Sequence, residues 1–319
     1  MKKSMLCLSA LLVLLGGCGI EPTYKTTVKD FMDEKGLIRS YAHDEGSGHL
    51  SESIGLYMEY LVGAEEEDSF REQAEKLERH FAAKKEGDVF IRWQLAEGTQ
   101  VNALIDDLRI ISALEAASEK FGNEDYALTA KRLEESIARK QTRDGYLHDF
   151  YDWKLELPAE RITLSYLIDG KAVPEETLDL LRQADGEPVF FPEYYDYKKS
   201  SFIEAAEIHM IDQLLIALNR AKIGVKSAEF DRWLAAEWKS EKKLYGRYNR
   251  KSAEPAVEYE SLAVYSYLYD YFHAIGETGP ADEVFRYAEK LATNDLLEKS
   301  HFFDYIHYQR MLQKHKTEE

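Results

Sequence analysis

The chain has 319 residues, 45% of them hydrophobic, with 59 acidic against 41 basic side chains and a formal net charge of −18. This is globular composition, long enough to bury a sizeable core as one domain or two, and neither disordered nor low-complexity. The acid excess, with no Lys/Arg cluster, excludes a nucleic-acid partner, because neutralising phosphates needs concentrated cations. Two cysteines cannot build a disulfide framework. The 21 tyrosines, in a chain that is 12% aromatic, suit a neutral or cationic polar ligand.

The chain opens on Lys2 and Lys3, followed by an apolar run from Met5 to Leu15. About eleven residues is signal-peptide length and too short to span a bilayer as a helix. Leu14-Leu15-Gly16-Gly17-Cys18 follows directly. An aliphatic residue, two glycines and a cysteine at that position resemble the bacterial lipobox. The resemblance implies cleavage before Cys18, lipidation of its thiol and loss of Cys7 with the leader. The expected division is a lipoprotein signal peptide over 1–17, a lipidated cysteine and tether over 18–27, and a single domain over 28–319. Such a protein sits on the outer face of the cell membrane, anchored by lipid rather than spanning it.

Beyond the tether, helical periodicity dominates and strand signals are few; Asp144-Gly145 is one hairpin signal. Leu56, Met58, Leu61 and Val62 mark a helix beginning near Ser51. Phe70, Ala74, Leu77 and Phe81 mark the next; Leu108, Ile111, Leu114 and Ala117 a third; Tyr126, Ala130, Leu133 and Ile137 a fourth. Later helices are expected over about 176–183, 202–221, 230–240, 259–274, 281–292 and 302–313. They alternate in character. One of each pair is apolar with polar residues at its start; the next is amphipathic and charged, as over 67–84, 124–140 and 281–295. Buried inner helices alternating with half-exposed outer ones predict an all-α fold, an (α/α)6 toroid whose inner helix starts face one cleft. An α-solenoid fits less well, because the helix-pair spacing is uneven and the 145–175 stretch is rich in loop residues.

Several chemistries lack their signatures. The nine histidines are scattered, with no His-Glu-x-x-His and no cysteine ligand after Cys18, so no metal site is expected. No Gly-x-Ser-x-Gly elbow and no Rossmann glycine loop occurs, so no cofactor is implied. The run Glu65-Glu66-Glu67-Asp68 reads as a solvated helix start.

The segment Ser51-Glu52-Ser53-Ile54-Gly55-Leu56-Tyr57-Met58 is more informative. Ser51 is an expected N-cap and Glu52 falls in the first turn, where the helix dipole favours a carboxylate. Gly55 allows another backbone or a ligand to come close. Ser-Glu-x-x-Gly-x-x-Met is similar to the Ser-Glu-Gly-x-Gly-Tyr-Gly-Met segment of glycoside hydrolase family 8, and the resemblance makes Glu52 the general acid at the start of an inner helix. Val89-Phe90-Ile91-Arg92-Trp93 looks like that family's strand-like segment ending in a sugar-platform tryptophan, here Trp93. Ile105-Asp106-Asp107-Leu108 looks like its Asp-x-Asp helix, with Ile105 where the first aspartate stands. Either Asp106 or Asp107 is then the sugar-binding carboxylate. Tyr259-Glu260-Ser261-Leu262-Ala263-Val264 resembles the segment that carries the base, which makes Glu260 the expected base, with Glu258 and Asp212 as alternatives.

The chemistry implied is hydrolysis of a polysaccharide with inversion, using one carboxyl group to protonate the leaving oxygen and another to activate water about 6.5–9.5 Å away. Tyr57, Tyr166, Tyr194 and Tyr195 join Trp93 as candidate stacking platforms, and 190–197 as a cleft-rim loop. A lipobox joined to this pattern looks like the lipoproteins that accompany exopolysaccharide synthesis in Gram-positive bacteria. The expected substrate is therefore an exopolysaccharide made by the same cell. The alternative is a catalytically degenerate glycan-binding lipoprotein that assists export; a helical-repeat scaffold for synthase subunits is a third reading.

Overall fold

A computed structural model describes residues 25–168, 172–185 and 188–318. The signal peptide and Cys18 lie outside the described residues. Eleven α-helices lie within them. These are α1 (Ser51–Gly63), α2 (Glu67–Lys76), α3 (Leu104–Phe121), α4 (Glu124–Ser136), α5 (Glu175–Gln183), α6 (Met210–Lys222), α7 (Ala228–Glu241), α8 (Leu262–Ala274), α9 (Thr278–Leu291), α10 (Asn294–Lys299) and α11 (Phe302–Glu318).

The alternation expected from composition is present. In α8 every residue from Leu262 to Tyr269 is buried, and in α6 every residue from Gln213 to Arg220. Helices that are apolar all round must be covered on all sides. By contrast α7 buries Phe230, Leu234 and Trp238, and α9 buries Ala281, Val284, Phe285 and Ala288, each one stripe at helical spacing. The covered helices pack in the order α3, α1, α11, α8, α6, and a single 3-10 turn, Leu164–Tyr166, continues the series against α6. The striped helices lie outside them, α4 against α3 and α9 against α8. Contact between α1 and α3 is close. A Cβ added at Gly55 would come within 3.1 Å of the Ile110 side chain, so this glycine serves helix packing.

Side-chain bonds bring the starts of the covered helices to one end of the molecule. Ser51 at the head of α1 donates to Asp106 at the head of α3 (2.7 Å). Ser261, which caps α8, donates to Asp304 in the first turn of α11. Ser165 in the 3-10 turn donates to Asp212 in the first turn of α6 (2.7 Å).

Three local expectations are corrected. Ser51 is the first residue inside α1 and Leu50 is its N-cap; the serine hydroxyl is spent on Asp106 and on the Trp93 carbonyl. Residues 202–209 are extended rather than helical. Ser201–Ile203 joins a three-stranded antiparallel sheet with Arg161–Thr163 and Tyr194–Asp196, and Glu207–His209 pairs with Arg247–Asn249. Pairing with neighbouring strands takes up the backbone here, and buried Arg250 holds the segment in place by donating to the carbonyl of Ala205 within it and to those of Phe190 and Phe191 beside it. Lastly, α2 and α4 stop short of their expected ends. Each runs into one π turn, Leu77–Phe81 and Ile137–Gln141, and then into a tight hairpin. The Asp144-Gly145 hairpin is present with both residues at positive φ, and Glu86-Gly87 makes a second turn of the same kind.

Candidate active site

Glu52 sits in the first turn of α1 with a quarter of its side chain open (28%) and accepts no hydrogen bond among the described residues. Across from it, on α3, lie Asp106 (5% exposed) and, one turn on, Arg109 (4% exposed). Arg109 Nη1 stands 3.6 Å from Glu52 Oε1 and 3.5 Å from Asp106 Oδ1. One cation therefore serves two carboxylates. Asp106 is the better satisfied, holding the Ser51 hydroxyl and the Glu52 backbone N–H.

The titration of Glu52 follows from this setting. Burial, then the charge of Asp106, then that of Asp304, raise its pKa to about 7, against the opposing pull of Arg109. A carboxyl group that holds its proton near neutrality is what a general acid requires. The first-turn position alone would have lowered it.

The two neighbouring aspartates separate cleanly. Asp107 (2% exposed) turns away from Glu52 into a buried polar chain. It accepts from Asn102 Nδ2 (2.6 Å), which also donates to Gln141 (2.6 Å), while Asn102 Oδ1 accepts from Tyr151 N–H (2.7 Å). Burial pushes the Asp107 carboxyl well up. It anchors the head of α3 to the 141–151 segment, and Asp106 is the carboxylate that faces Glu52.

Trp93 lies beside Glu52. Its carbonyl accepts from the N–H and hydroxyl of Ser51, and its ring is 38% exposed. Tyr166 lies on the same cleft: burial, and then the charges of Asp149, Asp106, Asp212 and Glu52, raise its phenol to about 12. Asp212 thus shares a neighbour with the acid. Tyr194 is half-buried on the adjoining sheet, with the Arg161 guanidinium 4.9 Å over its ring. Tyr195 alternates to the opposite face and packs on Phe202 and Tyr197. Tyr57 stacks on Tyr60 and meets Phe302 edge-on, with Glu66 and Glu72 its nearest acids, so it is turned to the α2 side rather than to Glu52. The expected cleft-rim stretch at 190–197 is the middle strand of the sheet and its approach.

Glu260 stands apart from the acid. It precedes α8, and its Oε2 accepts from Tyr265 and from Tyr287 of the outer helix α9 (the latter at 2.7 Å). Glu258 is exposed. Of the three candidate bases, Asp212 is the one whose charge reaches Tyr166 together with that of Glu52.

Sequence reading missed Arg109, Asp149, Arg161 and Asp304. Arg109 carried a signal: a cation one turn after Asp106, among the apolar Leu108, Ile110 and Ile111 of a buried helix. Asp149 (4% exposed) accepts from Arg161 Nε and from the N–H and hydroxyl of Thr163, and so fixes the arginine over Tyr194. A separate cavity of about 450 Å³, lined by Trp238, Tyr271, Ile275 and Glu283, lies at the far end of α8. Among the described residues no group of His, Cys, Asp and Glu could hold a metal ion, and no helix is long and apolar enough to cross a membrane.

No family model matches the chain. It is 33% identical over 261 residues to YdaJ of Bacillus subtilis strain 168, a candidate lipoprotein by name, covering 77% of this chain and 70% of that one. The crystal structure of PssZ from Listeria monocytogenes, also 33% identical, superposes with a TM-score of 0.83 over 92% of this chain and 97% of that one. The chain belongs to the family of YdaJ and PssZ. The fold of this family extends to glycoside hydrolase family 8. Endoglucanase Cel10 from Klebsiella pneumoniae, a family 8 glycosyl hydrolase, aligns with a TM-score of 0.66 at 14% identity, covering 91% of this chain and 97% of that one. The YdaJ–PssZ chain thus carries Glu52, Asp106 and Arg109 on a glycoside hydrolase scaffold.

Proposed function

We propose that the protein is a glycoside hydrolase, tethered by lipid on Cys18 to the outer face of the membrane, which cuts a polysaccharide made by the same cell and inverts the anomeric centre. The observation that carries this reading is the state of Glu52: a carboxyl group at the head of a covered helix, open to a cleft, free of hydrogen-bond donors and raised to about 7. Glu52 protonates the leaving glycosidic oxygen. Asp212 takes the place expected of Glu260 as base and draws a proton from water on the opposite face of the sugar. It is held by Ser165 and adjoins Tyr166, whereas Glu260 is tied to two tyrosines. Asp106 and Arg109 set the charge around the acid. Trp93, Tyr166 and Tyr194 offer ring faces to the sugar chain. No cofactor takes part.

The covered helices, with the 3-10 turn as sixth member, complete an (α/α)6 toroid in this reading. The turn meets the head of α3 through Asp149, whose carbonyl accepts from Leu104 N–H and whose carboxylate holds Thr163. The single domain begins at about residue 28, consistent with Phe31 lying in the core. Separation of the two carboxyls by about 6.5–9.5 Å is the inverting geometry. The test is the anomeric configuration of the newly formed reducing end, followed by proton NMR in the first minutes of digestion. Opposite configuration to the cleaved bond is expected; retention would overturn the assignment of Asp212 as base.

A further inference from the structure

Arg109 is nearly sealed from solvent, yet its Nη1 has no hydrogen-bond partner. That nitrogen points between Glu52 and Asp106, at 3.6 and 3.5 Å, just beyond hydrogen-bond length. A buried donor left unmade is costly unless some state of the site uses it. The opposite edge of the guanidinium is fixed. Nη2 donates to the Tyr267 hydroxyl (3.2 Å), and that hydroxyl lies 3.0 Å from His307 Nε2. Since an arginine only donates, Tyr267 accepts from it and passes its own hydrogen to Nε2. His307 is therefore a neutral acceptor, in line with its burial beside Arg109, Arg310 and Lys314, which push its pKa well down.

We propose that Arg109 is the positioning cation for proton donation. Its free Nη1 closes onto Glu52 as that carboxylate is born, and the Tyr267–His307 chain keeps it from relaxing elsewhere. The proposal rests on the hydrolase reading of Glu52. In the step, the Glu52 O–H bond breaks and its proton bonds the glycosidic oxygen. The C–O bond breaks with its electron pair going to that oxygen, while water adds to the sugar carbon and gives its proton to Asp212. The negative charge left behind resides on Glu52, about three-quarters of whose side chain is shielded from water. Among the described residues, Arg109 is the cation placed to compensate it. The groups facing Glu52 and Arg109 are Glu59 from α1, Asp106 from α3, Tyr166 from the 3-10 turn, Tyr267 from α8, and Asp304, His307 and Arg310 from α11. Arg310 is already paired with Glu59 (2.9 Å).

The experiment uses the full-length protein in detergent, with two independent readouts. The first is the titration midpoint of Glu52, from its 13C-labelled carboxyl resonance assigned by its absence in Glu52→Gln. In Arg109→Met the midpoint is expected to rise by about one to three pH units, the effect of an opposite charge at this range. Arg109→Lys should restore most of the shift. Tyr267→Phe, which frees the guanidinium, should move it in the same direction by less. The second readout is kinetic: the basic limb of the kcat/KM profile follows the midpoint, and kcat falls about 10²-fold at little change in KM. A structural role alone would lower stability and leave the midpoint in place. An unmoved midpoint in Arg109→Met overturns the proposal, and if that variant does not fold, an unmoved midpoint in Tyr267→Phe does so. The resonance titrates whether or not any glycan is cut, so a protein without turnover would refute the hydrolase reading separately.

Discussion

Two helix starts carry a glutamate, Glu52 in the first turn of α1 and Glu260 just ahead of α8, and they are built for different ends. At the start of α8 every acidic oxygen in use has a donor: Glu260 holds the hydroxyls of Tyr265 and Tyr287, and Asp304 holds Ser261 and the Ala263 N–H. At the start of α1, Glu52 has no donor and shares one arginine with Asp106 at more than hydrogen-bond distance. The first arrangement ties helices together. The second leaves a carboxyl group that holds a proton near neutrality and can give it away. Sequence motif marked both glutamates, with Glu258 and Asp212 as alternatives to the second; satisfaction of their oxygens separates them.

Substitutions sharpen the contrast. Glu52→Gln should keep the fold and lose at least about 10²–10⁴ of turnover, the usual worth of a general acid. Asp212→Asn should lose activity on the same scale. Glu260→Ala should leave kcat within a few-fold and instead lower stability by about 1–2 kcal/mol through loss of the acceptor that Tyr265 and Tyr287 share, measured by denaturant unfolding. Equal loss of turnover in Glu260→Ala would erase the distinction.

Stability against pH probes the same difference. The pKa of Glu52 is raised in the fold, from an ordinary 4.5 to about 7. Its contribution is thus fully present below about pH 4.5 and is lost as pH rises through about 7, the opposite of a salt-bridged carboxylate. Glu52→Gln has nothing to lose over that window. The variant should therefore match the parent in acid and exceed it by on the order of 1–3 kcal/mol at pH 8, read as a Tm gap that opens between these limits. A gap that is constant with pH would mean that Glu52 titrates normally.

Within α3, Asp106→Asn should cut turnover, whereas Asp107→Asn should leave activity close to that of the parent, because Asp107 turns from Glu52 to the Asn102 amide. Trp93→Ala should act on binding, raising KM about tenfold, or about 1.4 kcal/mol, at little change in kcat.

The alternation of covered and striped helices was legible because burial on one side or on all sides leaves its mark on periodicity. Glu52 stood out because its serine, glycine and methionine neighbours resemble a family motif. What lay hidden depends on contacts between distant segments. Residues 202–209 look helical by apolar spacing, but they pair with 194–196 and 247–249, and Arg250 ties Ala205 to the Phe190 and Phe191 carbonyls. Adjacent Asp106 and Asp107 differ by about 100° around one helix, which no motif resolves without knowing what faces each. Asp212 and Glu260 were both written at helix starts. What separates them is their partners, Ser165 from the 3-10 turn for Asp212, and Tyr265 and Tyr287, the latter from an outer helix, for Glu260.

The central claim is that Glu52 is the acid of a working hydrolase. The direct measurement is reducing-end release by residues 19–319, beside Glu52→Gln, from the producing cell's own extracellular polysaccharide together with mixed-linkage glucan, carboxymethyl cellulose, chitosan and xylan. Release from at least one of these that disappears in Glu52→Gln is the expected result. Binding without release in either protein would contradict it and make the molecule a glycan holder, with Glu52 a helix-start carboxylate and nothing more.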